Sequence, residues 1–161
     1  HIRERRSCRH QGRWIEVSEF DDCLKQRGLR RFDCLPDAVA RELGSAHEDL
    51  SDATVMLANA QWKRLTVTAY YAMFHAARAL VFDAGYAEKS HFCLGVAFRH
   101  LFATTDEGRE LAMGLERARV LRENADYRSD FDEAGARAAL TLATRFVSFA
   151  ERGPGEYQGQ A

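Results

Sequence analysis

Three short stretches of this 161-residue chain carry side chains that could do chemistry. The first is Tyr71, His75 and Arg78, which with Arg64 follow at steps of seven, four and three residues and share one side of a helix. A phenol, an imidazole and a guanidinium in one row can bind a phosphate or move a proton. Satisfaction by backbone groups or by acids of adjacent helices is the purely structural alternative. The second stretch is Lys89, Ser90 and His91, at the mouth of a helix. Free N–H groups there, beside Lys and His, attract an anion such as phosphate. Ordinary capping by Ser90 explains the same residues. The third is Arg119, Arg122, Asp126 and Tyr127 within RVLRENADYRSD. Arg and Asp near a helix end can pair and fix a connector. Alternatively, Arg122 binds a phosphate while Tyr127 stacks on a base.

Stronger signatures are absent. The chain has no G-x-x-x-x-G-K-[ST], no G-x-G-x-x-G and no H-E-x-x-H. It also lacks G-x-S-x-G. Its four cysteines, Cys8, Cys23, Cys34 and Cys93, form no C-x-x-C pair and no Cys/His cluster with zinc spacing. They read as free thiols of a reducing compartment, the cytoplasm, and no metal or cofactor is expected. The net charge of −1 gives no overall bias toward a charged partner, although the first 31 residues are locally basic. No apolar run reaches the roughly 20 residues of a membrane helix.

These side chains need elements to hold them. An apolar fraction of 46%, two Pro and abundant Ala, Leu, Arg and Glu predict an all-helical protein. The organising segment is Trp62–Gly85, apolar around most of its circumference and therefore central. Its small residues Ala69, Ala72, Ala76 and Ala79 let another helix come close, and together with its aromatic side they exceed what one four-helix core needs. A homodimer built through helices is the expectation. A short helix from Ser18 to Arg27 stops at Gly28. A longer one spans Asp37–Asn59, with Arg41, Glu42, Glu48, Asp49 and Asp52 outward, and a tight turn falls at Asn59–Trp62. After the linker Tyr86–Lys89 come helices His91–Phe102 and Asp106–Glu123, an irregular connector at Asn124–Phe131, and a last helix from Asp132 to Gly153. The reading is an up-and-down antiparallel bundle of four to five main helices over residues 18–152. Residues 1–17 form a basic flexible extension, and 153–161 a flexible tail.

AYYAMFHAARAL, then KSH, then RENADY, in this order, resemble the HEPN superfamily, in particular a group of small prokaryotic proteins with a YYAMFHAA-type helix. The resemblance runs from about Phe20 to Glu151. It implies a helical bundle that often dimerises and binds a nucleotide or RNA. Many members are metal-independent ribonucleases with an R-x4-6-H motif. Several are toxins paired with a minimal nucleotidyltransferase antitoxin that can adenylylate a Tyr near that motif. Here the motif's His is missing, since Arg119 and Arg122 are followed by Glu-Asn-Ala-Asp-Tyr127. Ribonuclease activity would need His75 or His91 beside Arg122. Tyr127 is the candidate for modification. The reading is a nucleotide- or RNA-phosphate-binding protein of a toxin–antitoxin or defence system. A metal-independent ribonuclease and a non-catalytic dimerisation module are the alternatives. Because a buried helix cannot leave polar groups unpaired, Arg122 and Asp126 are expected beside Tyr71, His75 and Arg78 in one polar pocket.

Overall fold

The computed structural model describes residues 9–10, 13–14, 18–33 and 35–153. Among these, six helices pack together: α1 (Glu19–Lys25), α2 (Pro36–Ala58), α3 (Trp62–Asp83), α4 (His91–Phe102), α5 (Asp106–Arg128) and α6 (Glu133–Arg152). The fold is the all-α bundle the composition predicts, with six helices rather than four or five. Residues 1–17 and 153–161 lie largely outside the described part. Within the first, β1 (Arg9–His10) pairs antiparallel with β2 (Arg13–Trp14).

α3 is the centre. It packs on α2, α4, α5 and α6. Leu65, Tyr70, Met73, Phe74, Leu80 and Val81 are buried on it, each worth about 1.5–3 kcal/mol of transfer free energy. The Ala row is also spent inside the chain: Ala69, Ala72, Ala76 and Ala79 are all buried against the bundle's own helices. They therefore offer no surface to a second copy.

Local chemistry explains the ends. Ser18, Ser90, Thr105 and Asp132 each accept a hydrogen bond from a first-turn N–H and cap α1, α4, α5 and α6. Pro36 starts α2, where its missing N–H costs nothing. The tight turn after α2 passes through Ala60 at φ 52. Gly85 leaves α3 at φ 91, which an L side chain rarely adopts.

Three expectations are corrected. The Tyr86–Lys89 linker contains a strand, β4 (Tyr86–Glu88), antiparallel to β3 (Leu29–Arg31) with Arg30 opposite Ala87. The segment Asn124–Arg128 is the last turn of α5 rather than a connector. Ala125 there is fully buried, and the helix ends only at Ser129, at φ 51. Finally, Cys23 and Cys93 are not free thiols: their sulfurs are bonded, tying α1 to the first turn of α4. Gly28 makes that closeness possible, since a Cβ there would lie 2.7 Å from Cys93 Sγ.

Candidate functional site

The first and third polar stretches meet on the seam of α3 and α5. Arg122 Nη2 donates to Tyr71 Oη at 2.9 Å. The guanidinium carbon lies 5.5 Å from the Tyr70 ring centroid and 5.4 Å from that of Tyr71, so the cation sits on two π-faces. Helical spacing accounts for the pair Arg122–Asp126, four residues apart on α5, but Asp126 Oδ2 stands 3.7 Å from Nε. That is too long for a hydrogen bond, and Nε is buried without one. Arg119, by contrast, is held at 2.7 Å by both Glu116 and Glu123. Those carboxylates, Glu116 first, push its pKa further up. Of the two arginines, Arg122 is the less neutralised.

His91 belongs to the same cluster. It opens α4, after the Ser90 cap, and its ring stacks on Phe74 with centroids 4.6 Å apart. Its Nδ1 lies 2.6 Å from Tyr70 Oη. Burial, then the positive charges of Arg122 and Arg119, lower the His91 pKa. Burial pushes Tyr70 above the ordinary phenol range despite the same arginines. Both shifts favour the neutral forms. A buried phenol seeks an acceptor, so we assign Tyr70 as the donor to Nδ1 and the His91 proton to Nε2. The Ser90 hydroxyl accepts the Cys93 N–H at 3.0 Å, so the cap is an ordinary one. Lys89 follows β4 directly and is exposed.

His75 and Arg78 go elsewhere. His75 Nδ1 is 2.7 Å from Glu42 Oε2 and Nε2 is 3.7 Å from Asp49 Oδ2, both on α2. Arg78 lies 3.5 Å from Glu42 and, through Nε, 2.8 Å from Glu88. Burial, which outweighs the attraction of the nearby cations, raises the pKa values of Asp49 and Glu88. The one shared pocket expected of Asp126 with His75 and Arg78 is therefore two clusters, with Phe74 between His91 and His75. Glu42 and Asp49 had been placed outward. Their seven-residue spacing, matching one face of α2, was the signal that they pair inward. Tyr70 was counted only as apolar, although a buried Tyr needs a hydroxyl partner. Tyr127 is 79% exposed.

The cluster is half-buried: the Arg122 side chain is 12% exposed and Tyr70 is buried. Two concavities lie elsewhere: one between Glu107 and the end of α6, the other at Phe32, Pro36, Val39 and Phe82. No group of His, Cys, Asp and Glu among the described residues has the makings of a metal site. No helix among them is long and apolar enough to cross a membrane. What the arrangement offers is a pre-oriented cation, an imidazole N–H and aromatic faces. Groups of this kind can hold a phosphate or phosphodiester without further chemistry.

The family model described as HEPN domain matches residues 40–153. No curated protein matches the chain. The match begins inside α2, so α1, β3 and Cys23 precede it.

Proposed function

We propose, from the premise that this chain belongs to the HEPN domain family, that Arg122, Tyr71 and His91 form a binding site for the phosphate of a nucleotide or RNA. The observation that carries this reading is the state of Arg122: oriented by Tyr71 and two rings, yet with its nearest carboxylate 3.7 Å away. A phosphate oxygen on its outer edge completes that charge, and the His91 Nε2–H donates to a second oxygen. Lys89 adds charge at the rim, and Arg119 adds field through its carboxylate pair.

Binding is better supported than cleavage. A general base needs a free imidazole lone pair. Tyr70 occupies the one on Nδ1, and Nε2 carries the proton. His75 does not replace His91, because carboxylates face both its nitrogens. The reading extends to a homodimer through the exposed Met113 and Val120 of α5, seven residues apart. It also extends to a minimal nucleotidyltransferase partner in a toxin–antitoxin setting. Tyr127, the exposed hydroxyl of RENADY, is the acceptor such a partner would adenylylate, with its oxygen bonding the α-phosphorus of ATP and pyrophosphate leaving.

Isothermal titration of adenosine monophosphate into the wild type and Arg122→Ala tests the site. The expected result is roughly tenfold weaker binding in the variant, the loss of one charge-assisted contact of about 1.4 kcal/mol. Equal affinity removes Arg122 from the site. Incubation with single-stranded RNA in EDTA tests the distinction from a nuclease: intact RNA is expected. Cleavage abolished by His91→Ala overturns the non-catalytic assignment.

A further inference from the structure

Five cations with no ion pair among the described residues gather at the end of the molecule where α1, β3 and β4 meet, beside the Arg99–Glu19 pair that joins α4 to α1. Arg99, Arg109, Arg119, Arg137, Arg145 and Arg152 all meet carboxylates. Between Leu24 and Phe32, LKQRGLRRF places Lys25, Arg27, Arg30 and Arg31 with no acid among them. None of the four, nor Lys89, forms an ion pair among the described residues, and Arg27, Arg30, Arg31 and Lys89 are exposed. The acid inside the ladder, Glu88, is occupied by Arg78.

Topology joins these cations to one another and to the phosphate site. The Lys89 N–H donates to the Gly28 carbonyl at 2.9 Å, and Leu29 stands opposite Glu88. Lys89 is two residues from His91. Two arginines also lie on aromatic rings: Arg30 over Phe32 at 5.1 Å and Arg31 over Tyr86 at 5.6 Å. A guanidinium backed by a ring keeps its plane fixed and its outer face free, which is a platform for an unpaired base. A duplex hides its base faces, so cations interleaved with such platforms suit a single strand.

We infer that Lys25, Arg27, Arg30, Arg31 and Lys89 form a track for single-stranded RNA that leads into the Arg122–His91 site. This deepens the proposed function and rests on it for the direction of the strand. The track itself lies mainly before residue 40, ahead of the family match. Phosphates follow the cations around the edge of β3, bases stack on Arg30 and Arg31 on its two opposite faces, and one phosphate reaches Arg122.

The test is fluorescence anisotropy with a labelled uridine decamer over a series of salt concentrations, with adenosine monophosphate titrated in parallel. The wild type is compared with Arg30→Gln/Arg31→Gln, and circular dichroism checks folding. We expect the double variant to bind the decamer about tenfold more weakly. Its slope of log affinity against log salt should be shallower by about 1.4, near 0.7 for each lost phosphate contact on a single strand. Mononucleotide affinity should be unchanged. Should the variant unfold, Lys25→Gln/Arg27→Gln reads the same track with the same expected outcome. Unchanged decamer affinity and salt slope overturn the inference. So does Arg30/Arg31-dependent binding of phosphatidylserine vesicles with no binding of the decamer. If the wild type binds the decamer through Arg30 and Arg31 but no mononucleotide, the track stands and the Arg122 reading fails.

Discussion

Removing one oxygen, by Tyr71→Phe, tests how far the Arg122 cation is held by its neighbours. Tyr71 Oη is the acceptor of Nη2 at 2.9 Å, and Nε has no hydrogen bond at all. Hydrogen bonds to charged groups contribute about 1.5–3 kcal/mol, and a buried donor left alone costs its desolvation. The Arg122 side chain is 12% exposed, so water replaces part of the loss. The lower end, about 1.5 kcal/mol, is therefore expected. For a domain of this size each kcal/mol moves the melting temperature by roughly 2–4 °C, so the midpoint should fall by about 3–6 °C. The ring survives, so the cation–π contact is kept and the effect isolates the hydroxyl. The assay is thermal unfolding of the wild type, Tyr71→Phe, Arg122→Ala and the double variant. A coupling of about 1–1.5 kcal/mol between the two positions is expected. Additive effects within about 0.3 kcal/mol refute the claim that Tyr71 orients Arg122.

Further expectations follow from the same geometry. Because the His91 pKa is lowered in the folded state, the unfolded chain binds the proton more readily. Its contribution is fully present above the unfolded value near 6.5 and is lost as pH falls below it. The melting temperature of His91→Gln should then drop less between pH 7 and pH 5 than that of the wild type, and parallel curves contradict this. Reducing Cys23–Cys93 opens a link across 70 residues, worth up to about 4 kcal/mol by chain entropy. Urea unfolding with and without a thiol reductant should show most of that difference, and Cys23→Ser/Cys93→Ser should show none. Gly44 lies exposed within α2 with nothing within 4 Å of a Cβ, so Gly44→Ala should stabilise by about 0.5–1 kcal/mol. At Gly108 a Cβ would sit 1.9 Å from the Phe102 carbonyl oxygen, so Gly108→Ala should cost about 3 kcal/mol or more. Equal melting temperatures for these two variants would contradict both.

What the sequence reveals, and where it stops, follows from the range of each interaction. Helix starts were legible at Ser18, Ser90 and Asp132 because a cap is a local bond between residues three apart. α3 was legible as central because its apolar circumference leaves no face for water. The end of α5 escapes the sequence because Asn124–Arg128 lacks apolar periodicity; one fully buried residue, Ala125, anchors that turn. Three-residue strands are too short to show alternation, so β3 and β4 were invisible. The Cys23–Cys93 bond spans 70 residues with no diagnostic spacing. At the site, the meeting of Arg122 with Tyr71 followed from α3 being buried and polar groups needing partners. Which histidine joins them depends on how α2 and α4 cross α3, and sequence spacing carries no record of that. The homodimer argument from the Ala row fails for the same reason, since those residues face the chain's own helices.

The most direct test of the phosphate site is the Arg122 side-chain Nε–Hε resonance. Nε is buried and without a hydrogen bond in the free protein, so its proton is shielded from solvent and its signal reports on the guanidinium alone. Arg122→Lys assigns it by its disappearance from a 15N-resolved spectrum. Titration with adenosine monophosphate should shift this resonance saturably, together with the His91 ring signals, while the carboxylate-paired Arg145 and Arg152 stay fixed. If the Arg122 and His91 signals do not move at concentrations where binding is complete by calorimetry, the nucleotide binds elsewhere and the assignment of this site is wrong.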